Sequence, residues 1–156
     1  MKPGFIADAN VGRLARRLRM MGYDTLFIND IEDSELIRIA YREKRIILTR
    51  DTGIMERRIV AGGDVSAVLI EPTDINNQVR QVVETLNLEP GEDMFSRCME
   101  CNDPLIWREK ESIRHLVPQY VYQTQDQFMQ CPVCERIYWQ GTHWEKMVSE
   151  VEQLKG

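Results

Sequence analysis

The sequence predicts an α/β fold, in which a parallel sheet is covered by helices on both faces, followed by a small unit that contains all four cysteines. Over about the first 90 residues, short apolar runs alternate with segments of helical periodicity. This is the pattern of parallel strands joined by right-handed crossover helices. After residue 94 the pattern ends and two close cysteine pairs follow. We therefore predict two domains, residues 1–94 and residues 95–156.

Composition sets limits on location and partners. The chain has 156 residues, of which 43% are hydrophobic and 29% charged, enough for one full core and a small appendage. No apolar run approaches the roughly 20 residues that span a bilayer, and no signal-like segment precedes the first strand. We therefore expect a cytoplasmic protein with no membrane partner. The net charge of -5 requires any nucleic-acid binding to use a local basic surface.

The first strand and helix come from the first 22 residues. An apolar run at residues 5–7 ends on Asp8, and a helix starts at residue 11, with Asn10 suited to cap it and Gly22 to end it. The apolar positions of this helix recur at helical spacing: Val11, Leu14, Ala15, Leu18 and Met21. Its outer face carries arginines that either meet phosphates or are simply solvated: Arg13, Arg16 and Arg17.

The rest of the first domain continues the alternation. The predicted elements are a strand at 25–28, a helix from an acidic turn at 30–33, a strand at 46–49, a helix at about 53–61, a strand at 67–70 and a helix at 75–86. With strand order 2-1-3-4, the first and third strands are neighbours. Asp8 and Asp51 would then emerge side by side at the carboxyl edge. The sequence leaves this order open.

The cysteines form two C-x2-C pairs, Cys98 with Cys101 and Cys131 with Cys134, separated by 29 residues. Four thiolates at this spacing are typical of a structural zinc site, which leaves no open position for chemistry. The alternative is two thiol pairs with a redox role or with none. In a reducing cytoplasm, metal ligation is favoured over disulfides.

Around the cysteines we predict a ribbon-like fold. The predicted elements are strands at 105–107 and 120–122, a mixed-charge segment at 109–115 and a helix at 144–154. Four aromatic residues are expected to fill a small core, with stacking on nucleobases as the alternative: Trp107, Tyr138, Trp139 and Trp144. His143 is assigned a structural or surface role, because four cysteines already complete a tetrahedron.

Acidic residues near the strand ends suggest a second metal site. Phosphodiester hydrolysis by a divalent ion needs several oxygen ligands that converge from different segments. Asp8 and Asp51 follow two predicted buried strands, and Asp33 or Asp30 could supply a third carboxylate, with Glu35 as a further candidate. Asp33 and Asp51 could instead be helix N-caps. Clustered carboxylates repel one another without a cation, so a cluster favours bound Mg²⁺ or Mn²⁺.

A family resemblance joins these two motif sets. The first domain contains FIADANVGRLARRLRMMGYD, DIEDSELIRIA and RIILTRD, and the second contains RCMECNDPL and CPVCERIYWQGTHWEKM. Together they resemble the PIN-like nuclease domain and the zinc ribbon of the Mut-seven C-terminal RNase family, over nearly the whole chain. In this resemblance Asp8, Asp33 and Asp51 match the PIN-like acidic site. The family commonly has a tryptophan near Arg17, where this chain has arginine, so a stacking contact there is not implied.

The resemblance implies a metal-dependent endoribonuclease with a structural zinc ion and catalytic Mg²⁺ or Mn²⁺. Four arginines are candidates to neutralise the scissile phosphate: Arg13, Arg16, Arg17 and Arg50. The zinc ribbon is expected to assist RNA binding. The alternative function is a module that binds nucleic acid or protein without catalysis.

Overall fold

The computed structural model describes residues 2–91 and 93–155. The chain divides into two compact units. The first, called here the sheet unit, comprises Met1–Arg19 and Tyr23–Leu88, and the second, the cysteine unit, comprises Met20–Gly22 and Glu89–Gly156. The domain boundary between residues 94 and 95 stays a prediction.

A four-stranded parallel sheet forms the centre of the sheet unit. Its strands are β1 (Phe5–Ala7), β2 (Thr25–Phe27), β3 (Ile46–Thr49) and β4 (Ala67–Leu69). The order is β2-β1-β3-β4, so the arrangement that makes the first and third strands neighbours is confirmed. Ala7 is in register with Leu48 of β3, which aligns the carboxyl ends of β1 and β3.

Five α-helices belong mainly to the sheet unit: α1 (Gly12–Met20), α2 (Asp33–Glu43), α3 (Thr52–Glu56), α4 (Arg58–Ala61) and α5 (Ile75–Leu86). The single helix predicted at 53–61 is wrong, because Arg57 has an extended ψ of 136° and separates α3 from α4. The predicted Asn10 cap is also wrong. Asp8 caps a 3₁₀ turn at Ala9–Val11 that leads into α1, and Asn10 lies inside that turn.

Aliphatic packing holds the sheet in place. Ile6 and Ile47 belong to a buried cluster with the apolar residues of α2, and α2 packs against both β1 and β3. All three residues of β1 are fully buried, so both faces of this strand are covered, as a parallel sheet requires. Side chains that follow β1 at the carboxyl edge are therefore attached to a fully packed strand.

The cysteine unit contains a three-stranded antiparallel sheet in the order β5-β6-β7. Its elements are β5 (Ile106–Arg108), a 3₁₀ helix (Lys110–Leu116), α6 (Gln119–Thr124), β6 (Phe128–Gln130), β7 (Ile137–Trp139) and α7 (Thr142–Lys155). The strand predicted at 120–122 is wrong, since these residues form α6. Val121 is buried, whereas Tyr120 is exposed and Tyr122 is half-buried. A segment with one buried residue in three fits a helical turn as well as a strand, so the pattern did not distinguish the two.

Within the described ranges, no helix combines the length and the apolar character needed to cross a bilayer.

Candidate functional site

Three carboxylates meet at the carboxyl edge of the parallel sheet. Asp8 directly follows β1, Asp51 lies two residues beyond β3, and Asp33 is the first residue of α2. One carboxylate oxygen from each lies within 4.8 Å of the other two. The structure thus brings together Asp8, Asp51 and one of the candidates for the third carboxylate, Asp33.

Asp8 is the most constrained of the three. Its side chain is buried, its Oδ1 accepts a hydrogen bond from the Ala9 amide at 2.8 Å, and its Oδ2 accepts one from Thr49 Oγ1 at 2.7 Å. Each carboxylate oxygen has a second lone pair that remains available for a cation. Asp8 caps the turn and can also act as a metal ligand, because the capping hydrogen bond does not use all of its lone pairs.

Asp51 also combines a cap with a position in the cluster. Its Oδ1 accepts a hydrogen bond from the Gly53 amide at 2.7 Å, which confirms the expectation that it caps the following helix. This cap occupies a lone pair of one oxygen only. The other oxygen is left for a ligand.

Thr49 connects these two aspartates and was missed by sequence reasoning. Its buried hydroxyl donates to Asp8 and accepts a hydrogen bond from the Asp51 amide at 3.0 Å. The signal in the sequence is a hydroxyl residue that ends an otherwise aliphatic strand, two residues before Asp51. The hydroxyl fixes both the side chain of Asp8 and the backbone of Asp51.

The choice between Asp33 and Asp30 depends on where α2 begins. Glu32 occupies the N-cap position without a side-chain cap hydrogen bond, so the interpretation of Asp33 as an N-cap is wrong. Asp30 is exposed, has a positive φ of 58°, and is not in the acidic cluster of the described residues. Glu35 is also outside that cluster and pairs with Arg38 at 3.0 Å.

The geometry of the cluster suits a small divalent cation. Two oxygens bound to one Mg²⁺ at about 2.1 Å lie at most about 4.2 Å apart, so oxygens within 4.8 Å of one another need only a small adjustment to share an ion. Three carboxylates form the hard oxygen donor set that Mg²⁺ and Mn²⁺ prefer. The three carboxylates therefore fit such an ion.

The candidate arginines have different environments. Arg13 and Arg16 are exposed on the outer face of α1, and Arg17 donates to Asn76 Oδ1 at 3.2 Å. The guanidinium of Arg50 donates to the backbone carbonyls of residues 70–72, which follow β4. Contact of these four side chains with RNA stays a prediction.

The four cysteines form a second cluster, with their sulfur atoms within 4.8 Å of one another. Cys98 Sγ and Cys134 Sγ are 3.7 Å apart, close to the roughly 3.8 Å edge of a tetrahedron with zinc–sulfur bonds of about 2.3 Å. The Cys101 amide points at Cys98 Sγ at 3.4 Å, and the Cys134 amide points at Cys131 Sγ at the same distance. This donor set fits a tetrahedral metal such as zinc.

Tyr138 of β7 is tied to the cysteine cluster. Its hydroxyl accepts a hydrogen bond from the Met99 amide at 3.2 Å and lies 3.1 Å from Cys98 Sγ, so its proton can be donated to the sulfur. Burial would raise the pKa of Cys98, but hydrogen bonds from Tyr138 and from the Cys101 amide outweigh it and hold that pKa below its ordinary value. Cys98 is thereby prepared to bind metal as a thiolate.

The pKa values of the Cys101 and Cys134 thiols are raised above their ordinary value, mainly by burial. Burial, the hydrogen bond with Cys134 and the charge of Cys98 raise the pKa of Cys101 to about 12. Four thiolates cannot share this space unless a cation balances them. The charges of the thiolates and the positions of the sulfur atoms therefore both favour a bound cation. The structural or surface role predicted for His143 concerns a side chain outside the part of the chain that the structure describes.

One comparison with known proteins gives a match, and the matched residues include both clusters. A family model described as the Mut7-C RNAse domain matches residues 3–151. No match was found among curated proteins or among solved structures.

Proposed function

The chain belongs to the Mut7-C RNase domain family, and on that premise we propose that it is a metal-dependent endoribonuclease that hydrolyses RNA phosphodiester bonds. Family membership supports a ribonuclease-type function with RNA as substrate. The observation that carries the finer proposal is the convergence of the Asp8, Asp33 and Asp51 carboxylates at one edge of the sheet. These residues come from three separate segments, as a PIN-like acidic site requires.

In this proposal Asp8, Asp33 and Asp51 hold Mg²⁺ or Mn²⁺. Such an ion, when bound, supplies Lewis-acid activation of water and neutralises charge on the phosphate. Thr49 keeps Asp8 oriented and aligns the backbone of Asp51. The burial of Asp8 strengthens its attraction for a cation relative to an exposed carboxylate.

Other parts of the chain have supporting roles in the proposal. Arg13, Arg16, Arg17 and Arg50 are the candidates for contact with RNA phosphates. The cysteine unit is a zinc ribbon whose metal stabilises the fold and which assists RNA binding. The protein works in the cytoplasm, where reduced cysteines remain available to a metal.

The direct test is cleavage of a mixed RNA by the full chain. We expect products with Mg²⁺ or Mn²⁺, none after EDTA, and recovery when Mg²⁺ is added back. Zinc content is measured in each sample, so that loss of the structural metal is not mistaken for loss of the catalytic one. RNA binding without cleavage under either ion would contradict the proposal and support the non-catalytic binding module.

Exchange of Asp33 and of Asp30 to asparagine distinguishes the two candidates for the third ligand. Asp33→Asn is expected to lower kcat by about a hundredfold, because it removes a charge that stabilises the transition state through the ion. Asp30→Asn is expected to stay within about twofold of the wild type, since Asp30 lies outside the cluster. Initial rates at saturating Mg²⁺ measure both. The reverse result would make Asp30 the ligand.

Thr49→Val tests the buried hydroxyl. The change keeps the shape of the side chain but leaves a buried Asp8 oxygen and the Asp51 amide without this partner, at a cost of about 1–3 kcal/mol of unfolding free energy. We also expect weaker Mn²⁺ binding, measured by calorimetry, because Asp8 is less well fixed. Thr49→Ser, which keeps the hydroxyl, is the matched control and should retain Mn²⁺ affinity. Equal Mn²⁺ affinity in wild type and Thr49→Val would exclude the orienting role.

A further inference from the structure

The cysteine unit contains a cavity of about 110 Å³ whose lining residues are all uncharged. All three tryptophans of the chain contribute to it: Trp107, Trp139 and Trp144. Tyr138, Gln127 and Gln140 also line the cavity. An aromatic cavity with amide groups and no charge suits a flat, neutral, polar ring.

Trp107 is unusual because it is not part of a core. It is 64% exposed on β5, whereas Trp139 packs edge-on against Phe128 with 6.5 Å between ring centroids. The expectation that these aromatics fill a small core therefore fails for Trp107. An exposed indole beside a cavity offers a flat surface on which another ring can stack.

Trp144 contributes an unused hydrogen-bond donor. Its ring packs against Phe95 at 5.7 Å, and its buried Nε1 has no hydrogen-bond partner in the described part of the chain. Buried donors are nearly always paired, so this unpaired one favours an acceptor that reaches it after a small shift of the side chains that cover it. A ring carbonyl is an acceptor of the right kind.

The wall formed by Tyr138 is held by the cysteine cluster. The ring of Tyr138 lines the cavity while its hydroxyl contacts Cys98 Sγ at 3.1 Å. A metal bound by the cysteines would therefore also fix the position of Tyr138 in the cavity wall. A preorganised cavity loses less entropy when a ligand enters.

We propose that this cavity binds a single pyrimidine base of an unpaired RNA strand; the choice of RNA rests on the proposed function. At about 110 Å³ the cavity is smaller than the roughly 150 Å³ cavity that holds benzene, so it has room for no more than one six-membered ring and excludes a purine. The base stacks on Trp107, and its carbonyl accepts a hydrogen bond from Trp144 Nε1 once the side chains that cover this atom shift. Stacking of splayed bases on aromatic residues is the usual way in which proteins read single-stranded RNA.

The experiment uses the full chain carrying Asp8→Asn, so that bound RNA stays intact. Eight-nucleotide oligouridylate and oligoadenylate are titrated while intrinsic tryptophan fluorescence and the three indole N–H resonances are followed. We expect saturable quenching with oligouridylate, affinity at least about fivefold weaker for oligoadenylate, and a shift of the Trp144 resonance. Trp107→Ala should weaken oligouridylate binding about tenfold, from the loss of one stacked base. Trp144→Phe should reduce the preference for uridine.

Tyr120→Ala is the matched control, because Tyr120 is a 69% exposed aromatic of the same unit that is not part of this lining. It should bind oligouridylate as the parent does. Equal affinity of the parent and Trp107→Ala, or equal affinity for the two oligonucleotides, would overturn the proposal. Cleavage is assayed separately with Asp8 intact. Binding of the base without RNA cleavage refutes only the nuclease function. Cleavage by the Asp8 protein, together with a Trp107→Ala variant that binds oligouridylate as tightly as its parent, refutes only the base site.

Discussion

Asp8→Asn is expected to lower the rate of RNA cleavage about a thousandfold while the chain stays folded. Asparagine has the same shape, and its oxygen can still accept the hydrogen bond that Asp8 accepts from the Ala9 amide. It lacks the negative charge that holds a cation, which contributes several kcal/mol of transition-state stabilisation, or about three powers of ten in rate. The measurement is kcat at saturating Mg²⁺, together with the thermal midpoint.

Asp64→Asn is the control for this prediction. Asp64 is an exposed carboxylate of the same unit that lies between α4 and β4, outside the acidic cluster. It should keep the wild-type rate. If Asp8→Asn kept more than a tenth of the activity, Asp8 would not be an essential ligand.

Cys98→Ser is expected to abolish metal binding by the four cysteines and to unfold the cysteine unit. The strands of this unit have three residues each, and one of its buried clusters consists of Cys98, Leu105 and Cys131 themselves. Structural zinc contributes about 10–16 kcal/mol in small domains, as much as the whole stability of many domains. Near-ultraviolet circular dichroism reports on this unit directly, since all three tryptophans line its cavity.

Val133→Ser serves as the control inside the second cysteine pair. Val133 is 63% exposed, and only its backbone amide points at Cys131 Sγ, at 3.4 Å. Exchange of its side chain should leave the metal content and the tryptophan signal unchanged. A folded Cys98→Ser protein with one tightly bound metal ion would contradict the structural role of the cluster.

The sequence predicted the sheet unit well because its strands are aliphatic and its helices amphipathic. Those patterns located β1 and β3, and with them Asp8 and Asp51. The third carboxylate was left open because acidic residues occur at positions 30, 32, 33 and 35. Which of them faces the cluster depends on the start of α2 at Asp33, and element ends are weakly encoded in local patterns.

Two features depended on three-dimensional contacts. Thr49 is chemically ordinary in sequence and gains its importance only because β1 lies beside β3. In the cysteine unit, the short strands mix aromatic, aliphatic and polar residues instead of forming aliphatic runs, so β6 and β7 were missed and α6 was taken for a strand. Such a unit is organised mainly by its cysteine cluster, which the spacing of the cysteines did predict.

Anomalous diffraction from crystals soaked in Mn²⁺ tests the central claim most directly. We predict a peak within coordination distance of carboxylate oxygens from Asp8, Asp33 and Asp51, and its loss in Asp8→Asn crystals. Manganese bound elsewhere on the chain, with no density between these three carboxylates, would contradict the metal-dependent site.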